Sequence, residues 1–71
     1  MFEPVEILVP TTSNASHTAG QAFLPSRGGT GLLLGSEHLR AGPAHMRVRG
    51  AWYRVRLGAS AGGGAFLYQF A

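Results

Sequence analysis

The segment from His45 to Leu57 carries the strongest chemical signal in the chain, because four of its thirteen residues are arginines. It reads HMRVRGAWYRVRL, with a tryptophan between two pairs of arginines. Guanidinium groups bind carboxylates and phosphates through paired N–H donors, and an indole ring can stack on a nucleic-acid base. These residue types favour contact with an anionic surface, and the candidate contact residues are Arg47, Arg49, Trp52, Arg54 and Arg56.

The arginines leave several interpretations open. The anion could be the carboxylates of a partner protein or the phosphates of a nucleic acid. Alternatively, the arginines form a solvated outer face, with Trp52 covered by their aliphatic stems. Residues 1–35 contain one Arg and two Glu, whereas residues 36–71 contain five Arg and one Glu. This polarity indicates an anionic partner for the second half, or a copy of the chain's own acidic end.

Residue types that perform catalysis or hold metals are scarce. The chain has no Cys and no Asp, and its three histidines, at positions 17, 38 and 45, match no familiar zinc-ligand spacing. The glycine-rich stretch 27–31 lacks the Lys-Ser/Thr pair and the following helix of a phosphate-binding loop, so we predict a turn there. We therefore expect no enzymatic activity, no cofactor, no metal and no small-molecule substrate.

The arginine-rich segment predicts a β-hairpin over residues 45–57. Apolar residues occupy even positions before Gly50 and odd positions from Tyr53 onward, and such a change of phase needs a turn or a bulge. A two-residue type II′ turn at Gly50–Ala51 satisfies the pattern. A single bulged strand is the alternative.

This hairpin would sort its residues onto two faces, because directly opposed residues share a face. The predicted apolar face contains Met46, Val48, Tyr53, Val55 and Leu57, and the predicted basic face contains His45, Arg47, Arg49, Trp52, Arg54 and Arg56. Arg47 would lie opposite Arg54, and this like-charge pair would be destabilising unless an anion covered it.

The rest of the chain predicts short strands between polar or glycine-rich connections. The predicted elements are a strand at 5–9 between Pro4 and Pro10, a polar loop at 11–20, a brief strand at 21–24, a buried strand at 32–34, a helical turn at 36–41, a Gly/Ala/Ser loop at 58–64 and a terminal strand at 65–70.

The aromatic residues Phe66, Tyr68 and Phe70 would share one face of the terminal strand. We expect this strand to close the domain's own sheet, because consecutive strands usually pair locally. Alternatively, it adds to the sheet of a neighbouring chain, which makes these three residues a candidate strand-addition interface.

Together these elements predict an all-β single domain over residues 1–71. It would be a small sheet or barrel of four to six short antiparallel strands, with one helical turn and long Gly/Ser-rich loops. A chain of 71 residues without cysteine can bury only a thin core. The predicted core residues are Val5, Ile7, Val9, Leu32, Leu34, Met46, Val48, Tyr53, Val55, Leu57 and Phe66.

A thin core, complementary charges and an apolar terminal strand favour a structural subunit of a larger multi-chain particle. We expect a phage virion component, such as a capsid decoration, head–tail connector or tail part, with other protein subunits as partners. The alternative is a small nucleic-acid-binding β-barrel that uses the Arg/Trp face. The first residues do not resemble a signal peptide, and no apolar run reaches the length of about 20 residues that spans a membrane. We therefore expect a virion or cytoplasmic location.

Overall fold

The computed structural model describes residues 1–10, 15–34 and 39–71, which form a closed barrel of six antiparallel strands. The strands are β1 (Phe2–Pro10), β2 (Ala15–Phe23), β3 (Gly31–Leu34), β4 (Gly42–Val48), β5 (Ala51–Gly62) and β6 (Ala65–Phe70). Their order around the barrel is β1-β2-β3-β6-β5-β4, and β4 pairs with β1 to complete the circle. The predicted all-β, barrel-like domain is confirmed.

The barrel consists of two three-stranded meanders, β1–β3 and β4–β6, joined edge to edge. The β1–β4 and β3–β6 pairings connect the meanders. Because all strands are antiparallel, one end of the barrel gathers the starts of β1, β3 and β5 and the ends of β2, β4 and β6. This end brings the N-terminal acidic strand next to the arginine-rich hairpin.

Alternate side chains of each strand point into the barrel, and these side chains form the core. Seven of the predicted core residues are buried, and Val9 packs against them partly buried. These seven are Val5, Ile7, Met46, Val48, Val55, Leu57 and Phe66. In β3 the prediction had the wrong parity, because Leu33 points inward and Leu32 and Leu34 are only half-buried. A run of three leucines shows no alternation of apolar and polar residues. The pairing of β3 with β2 and β6 therefore decides which leucine points into the core.

Of the two tyrosines, Tyr68 lies in the core and Tyr53 does not. Tyr68 is 1% exposed, whereas Tyr53, predicted for the core, is 47% exposed at the barrel end. Gly31 lies opposite Tyr68, and a Cβ on this glycine would overlap the Tyr68 ring and lie 2.7 Å from the carbonyl oxygen of Phe23. The glycine thus leaves the space that the ring fills. The Tyr68 hydroxyl donates a hydrogen bond of 3.1 Å to that same carbonyl.

The turn of the predicted hairpin lies one residue earlier than expected. Arg49 and Gly50 form it, with φ angles of 51° and 82°. Positive φ at both central residues is the type I′ geometry, which fits the twist of paired strands better than most turns. Gly50 takes one of these positions without steric cost, and so the glycine is the second turn residue rather than the first.

This turn moves the strand pairing by two residues and preserves the faces. Met46 lies opposite Tyr53 in the observed register. Because side chains alternate with a period of two, the strand residues keep their predicted sides, except that Arg49 lies in the turn and Tyr53 is exposed at the barrel end. The predicted opposition of Arg47 and Arg54 is wrong, since Arg47 lies opposite Trp52 and His45 lies opposite Arg54.

Several segments that were predicted to be loops belong to strands in the structure. Residues 15–20, predicted as loop, belong to β2 and pair with β1, and residues 58–62 extend β5 with register shifts against β6. β1 also includes both of its prolines, since it runs through Pro4 and ends at Pro10. Pairing with a neighbouring strand outweighs the weak local propensity of these small and polar residues. Residues 11–14 and 35–38 lie outside the described residues, and the described part of the predicted helical turn, 39–41, is not helical.

Candidate functional site

The predicted contact residues come together on one side of the β4–β5 hairpin. We call this surface the basic face, and it comprises the outward side chains of His45, Arg47, Trp52, Arg54 and Arg56, with Arg49 in the adjoining turn. All six residues are exposed. The alternation of β4 and β5 produces this arrangement, because each outward residue of a strand is separated from the next by one residue of the opposite face.

Two of these arginines are neutralised by the first strand. Arg49 forms a two-pronged pair with Glu3, with its Nε 2.7 Å from Oε1 and its Nη2 bonded to Oε2. Arg47 donates from Nη1 to Glu6 Oε1 at 3.1 Å, across the β1–β4 pairing. The hydrogen bond to Glu3 and the charge of Glu3 raise the pKa of Arg49. The charge polarity of the sequence is thus partly satisfied within one molecule.

The other two arginines of the basic face are Arg54 and Arg56. Among the residues that the structure describes, no carboxylate lies within ion-pair distance of Arg54 or Arg56. They project from β5 on the same side as Trp52, which is 45% exposed. Successive outward positions on a strand are about 7 Å apart, so the indole and the two guanidinium groups form a short row.

A groove of about 430 Å³ adjoins Arg54 at the barrel end. We call it the end groove, and it is lined by Leu24, Pro25, Val48, Arg49, Ala51, Tyr53, Arg54, Phe70 and Ala71. The rings of Tyr53 and Phe70 meet edge to face with centroids 5.5 Å apart, and Phe70 also contacts the Tyr68 ring at 5.6 Å. The groove therefore combines exposed aromatic walls with two arginines, of which Arg49 is bound to Glu3.

Sequence reasoning missed the end groove, because its lining comes from three separate parts of the chain, 24–25, 48–54 and 70–71. The β5–β6 register places Val55 opposite Phe70, which brings Phe70 close to Tyr53. No local pattern reveals such a register. The partnership of Glu3 and Glu6 with the hairpin was visible only as a difference in charge between the two halves of the chain.

The terminal strand closes the barrel, as the favoured prediction had it. β6 pairs with β3 on one side and with β5 on the other. Phe66 and Tyr68 are buried, and only Phe70 among the predicted strand-addition residues is exposed. Addition of β6 to a neighbouring sheet would require one of its pairings to open, so of the three predicted strand-addition residues only Phe70 is accessible, and it lines the end groove.

The described residues contain no group of three or more His, Cys, Asp or Glu placed to hold a metal ion. Within the same residues, no helix has the length and apolar character needed to cross a membrane. Hydrogen-bond donors and apolar surface are what the basic face and the end groove offer to a ligand. This combination is suited to binding an anionic group next to an apolar one.

Comparison with protein-family models, with curated proteins and with solved structures gives no match for this chain, so its function is argued from the geometry of these surfaces.

Proposed function

We propose that the chain is a non-enzymatic assembly subunit that docks its basic face and end groove onto an acidic surface of a partner protein. The partner would be another subunit of a larger particle, such as the phage virion expected from the sequence. The observation that carries this proposal is the position of Arg54, which belongs to both surfaces and has no carboxylate partner among the described residues.

The charges favour a partner with a few well-placed carboxylates. Arg47 and Arg49 already bind Glu6 and Glu3, so Arg54 and Arg56 are the cations of the basic face that a partner can engage without competition. A guanidinium group binds a carboxylate through two parallel hydrogen bonds, which fixes direction as well as strength. Two such contacts suit a local acidic patch better than a long polyanion.

The end groove supplies the apolar part of the contact. Protein interfaces concentrate their binding energy in pockets that receive one anchor side chain, and tyrosine and arginine are enriched there. Tyr53, Phe70 and Arg54 provide these residue types around a concave surface. We therefore expect the partner to insert an aromatic or aliphatic side chain between flanking carboxylates.

A synthetic peptide with one phenylalanine flanked by aspartates tests this proposal. It should bind the chain, shift the amide resonances of Arg54 and Phe70, and bind more weakly as salt is raised. The double variant Arg54→Gln/Arg56→Gln should weaken binding roughly tenfold or more. Replacing the peptide's phenylalanine by alanine should weaken binding as well.

Two controls separate a docking site from general charge attraction. The double variant Arg27→Gln/Arg40→Gln removes the same charge from two exposed arginines outside the basic face, and it should bind the peptide nearly as well as the wild type. A peptide with lysines in place of the aspartates should not bind. Equal losses in both double variants, or binding of the lysine peptide, would contradict the proposal.

A second candidate function is single-stranded nucleic-acid binding, favoured by Trp52 in line with Arg54 and Arg56 on β5. In that case a DNA oligonucleotide should bind more tightly than the acidic peptide and quench the Trp52 fluorescence. The logarithm of its affinity should fall with the logarithm of salt concentration with a slope of about −1.4, the value for two phosphate contacts. Loss of this binding in Trp52→Leu would favour this function over protein docking.

A further inference from the structure

A row of apolar side chains crosses four neighbouring strands on the outside of the barrel. Phe2 lies opposite Phe23, Phe23 opposite Leu32, and Leu32 opposite Leu67, so all four share the outer face of β1, β2, β3 and β6. We call these residues the apolar row. The rings of Phe2 and Phe23 meet with centroids 5.5 Å apart. Neighbouring strands are about 4.8 Å apart, which makes the row about 14 Å long.

The positions next to the apolar row carry no charge. The outward residues one step along the same strands are Pro4, Gln21, Leu34, Ala65 and Gln69. Phe2, Phe23 and Leu67 are themselves exposed, and Leu32 is half-buried. The outward strand positions here therefore form a neutral apolar patch, and such patches often mark interaction sites.

The barrel separates this patch from its arginines. The outward arginines of the hairpin lie on β4 and β5, whereas the row lies on the strands from β1 through β2 and β3 to β6. A second copy can thus approach the apolar row without bringing the two basic faces together. Arg56 borders the patch where it lies opposite Gln69, and Arg27 lies in the connection between β2 and β3.

We propose that the apolar row is the contact between two copies of this chain, related by a two-fold axis. A two-fold interface uses the same patch on both subunits, and an uncharged apolar patch is complementary to itself. A standard interface takes about 800 Å² from each partner, so the contact would extend from the row over much of one broad side of a barrel measuring 34 × 27 × 19 Å. The dimer would present its two basic faces outward.

Such pairing also suits the small size of the barrel. A domain of 71 residues buries a modest share of its surface, and association of two folded copies stabilises the folded state by mass action. The inference is independent of the acidic partner proposed above, because it rests on the opposite side of the molecule.

Sedimentation equilibrium on the full chain tests the inference. At protein concentrations up to about 1 mM, the wild type should approach twice the chain mass of 7.5 kDa. Phe23→Gln and Leu67→Gln should each raise the dimer dissociation constant roughly tenfold or more. High salt should leave the dimer intact, because the contact contains no charged pair.

Trp52→Gln is the matched control, since Trp52 and Leu67 are both 45% exposed but lie on different sides of the barrel. It should dimerise as the wild type does. A monomeric wild type over the whole concentration range, or equal weakening by Trp52→Gln, would overturn the inference.

A measurement on the wild type keeps the test decisive if a variant fails to fold. Methyl resonances of Leu32 and Leu67 should shift with protein concentration, while those of Val55 in the core should not. Concentration-independent leucine resonances would overturn the inference. Peptide binding and dimerisation are separable, because Arg54→Gln/Arg56→Gln should still dimerise and Leu67→Gln should still bind the acidic peptide.

Discussion

Arg49 holds the turn between β4 and β5 in a backbone conformation that non-glycine residues rarely adopt, with φ at 51°. Its guanidinium group is at the same time anchored to Glu3 by two hydrogen bonds. A left-handed residue persists where its surroundings hold it in place, and the Glu3 contact ties this turn to the first strand. The residue therefore links hairpin geometry to the charge balance of the basic face.

Comparison of Arg49→Gly with Arg49→Ala isolates the cost of this conformation. Both variants lose the contact to Glu3, but only glycine adopts the left-handed conformation without steric penalty. Arg49→Gly should therefore melt at a temperature roughly 5 °C or more above that of Arg49→Ala. Identical melting temperatures by circular dichroism would show that the positive φ carries no cost.

Tyr68 gives the barrel a pH dependence at alkaline pH. Burial raises the pKa of its phenol, and the negative charge of Glu3 adds a smaller contribution. The folded chain thus keeps the phenolic proton at pH values where the unfolded chain has lost it. The stabilisation is complete below the ordinary tyrosine pKa of about 10 and is lost as pH rises through the raised pKa of the folded state.

Tyr68→Phe tests this link between burial and stability. At neutral pH it should lower the free energy of unfolding by about 0.5–1.5 kcal/mol, because the hydrogen bond to the Phe23 carbonyl is lost. Above pH of about 10, the free energy of unfolding should fall less steeply with pH than in the wild type. Urea unfolding at a series of pH values measures both effects, and an unchanged alkaline slope would exclude Tyr68 as its source.

At the scale of elements, the β4–β5 hairpin gains stability from its neighbour β1 rather than from its own cross-strand charges. Arg47 lies opposite Trp52 within the hairpin and opposite Glu6 across the β1–β4 pairing. Arg54 lies opposite His45 and has no carboxylate partner among the described residues. Substitution of the two arginines should therefore change the free energy of unfolding by different amounts, although both are exposed on the same face.

Single substitutions to glutamine reveal this difference. Arg47→Gln should lower the free energy of unfolding by about 0.2–1 kcal/mol, the range for exposed ion pairs. Arg54→Gln should leave it unchanged or slightly higher, because the variant removes a cation that lacks a carboxylate. Each variant changes the net charge by the same amount, so net charge cancels in the comparison. A larger loss for Arg54→Gln in urea unfolding would contradict the assignment.

At the scale of the whole molecule, charged and apolar side chains lie on different sides of the barrel. The hairpin side is basic and partly neutralised by Glu3 and Glu6 of β1, whereas the apolar row and the outward strand residues one step from it carry no charge. Closure of the barrel fixes both sides in one rigid frame. We expect the two proposed contacts to operate independently because they use opposite surfaces.

The double variant Glu3→Gln/Glu6→Gln should release Arg47 and Arg49 for an external partner. We expect it to bind the acidic phenylalanine peptide more tightly than the wild type and with a steeper dependence on salt, because four cations rather than two face the ligand. It should also melt at a lower temperature, since both contacts to β1 are lost. Unchanged affinity at low and high salt would mean that the neutralised arginines lie outside the docking surface.

Some of this architecture was readable from the residues alone. The alternation in HMRVRGAWYRVRL determined which side chains point inward and which form the basic face, and an error of two residues in register left that assignment intact. The reason is physical, since the orientation of a strand side chain depends on its position along its own strand and repeats every two residues.

Only the tertiary structure decided which residues contact each other across neighbouring strands. The β1–β4 pairing brings Glu6 to Arg47, the β3–β6 pairing lets Tyr68 fill the space beside Gly31, and the apolar row exists only when four strands are aligned. These contacts join residues far apart in the chain. Their geometry follows from barrel closure and non-local register, which no local alternation of residue types encodes.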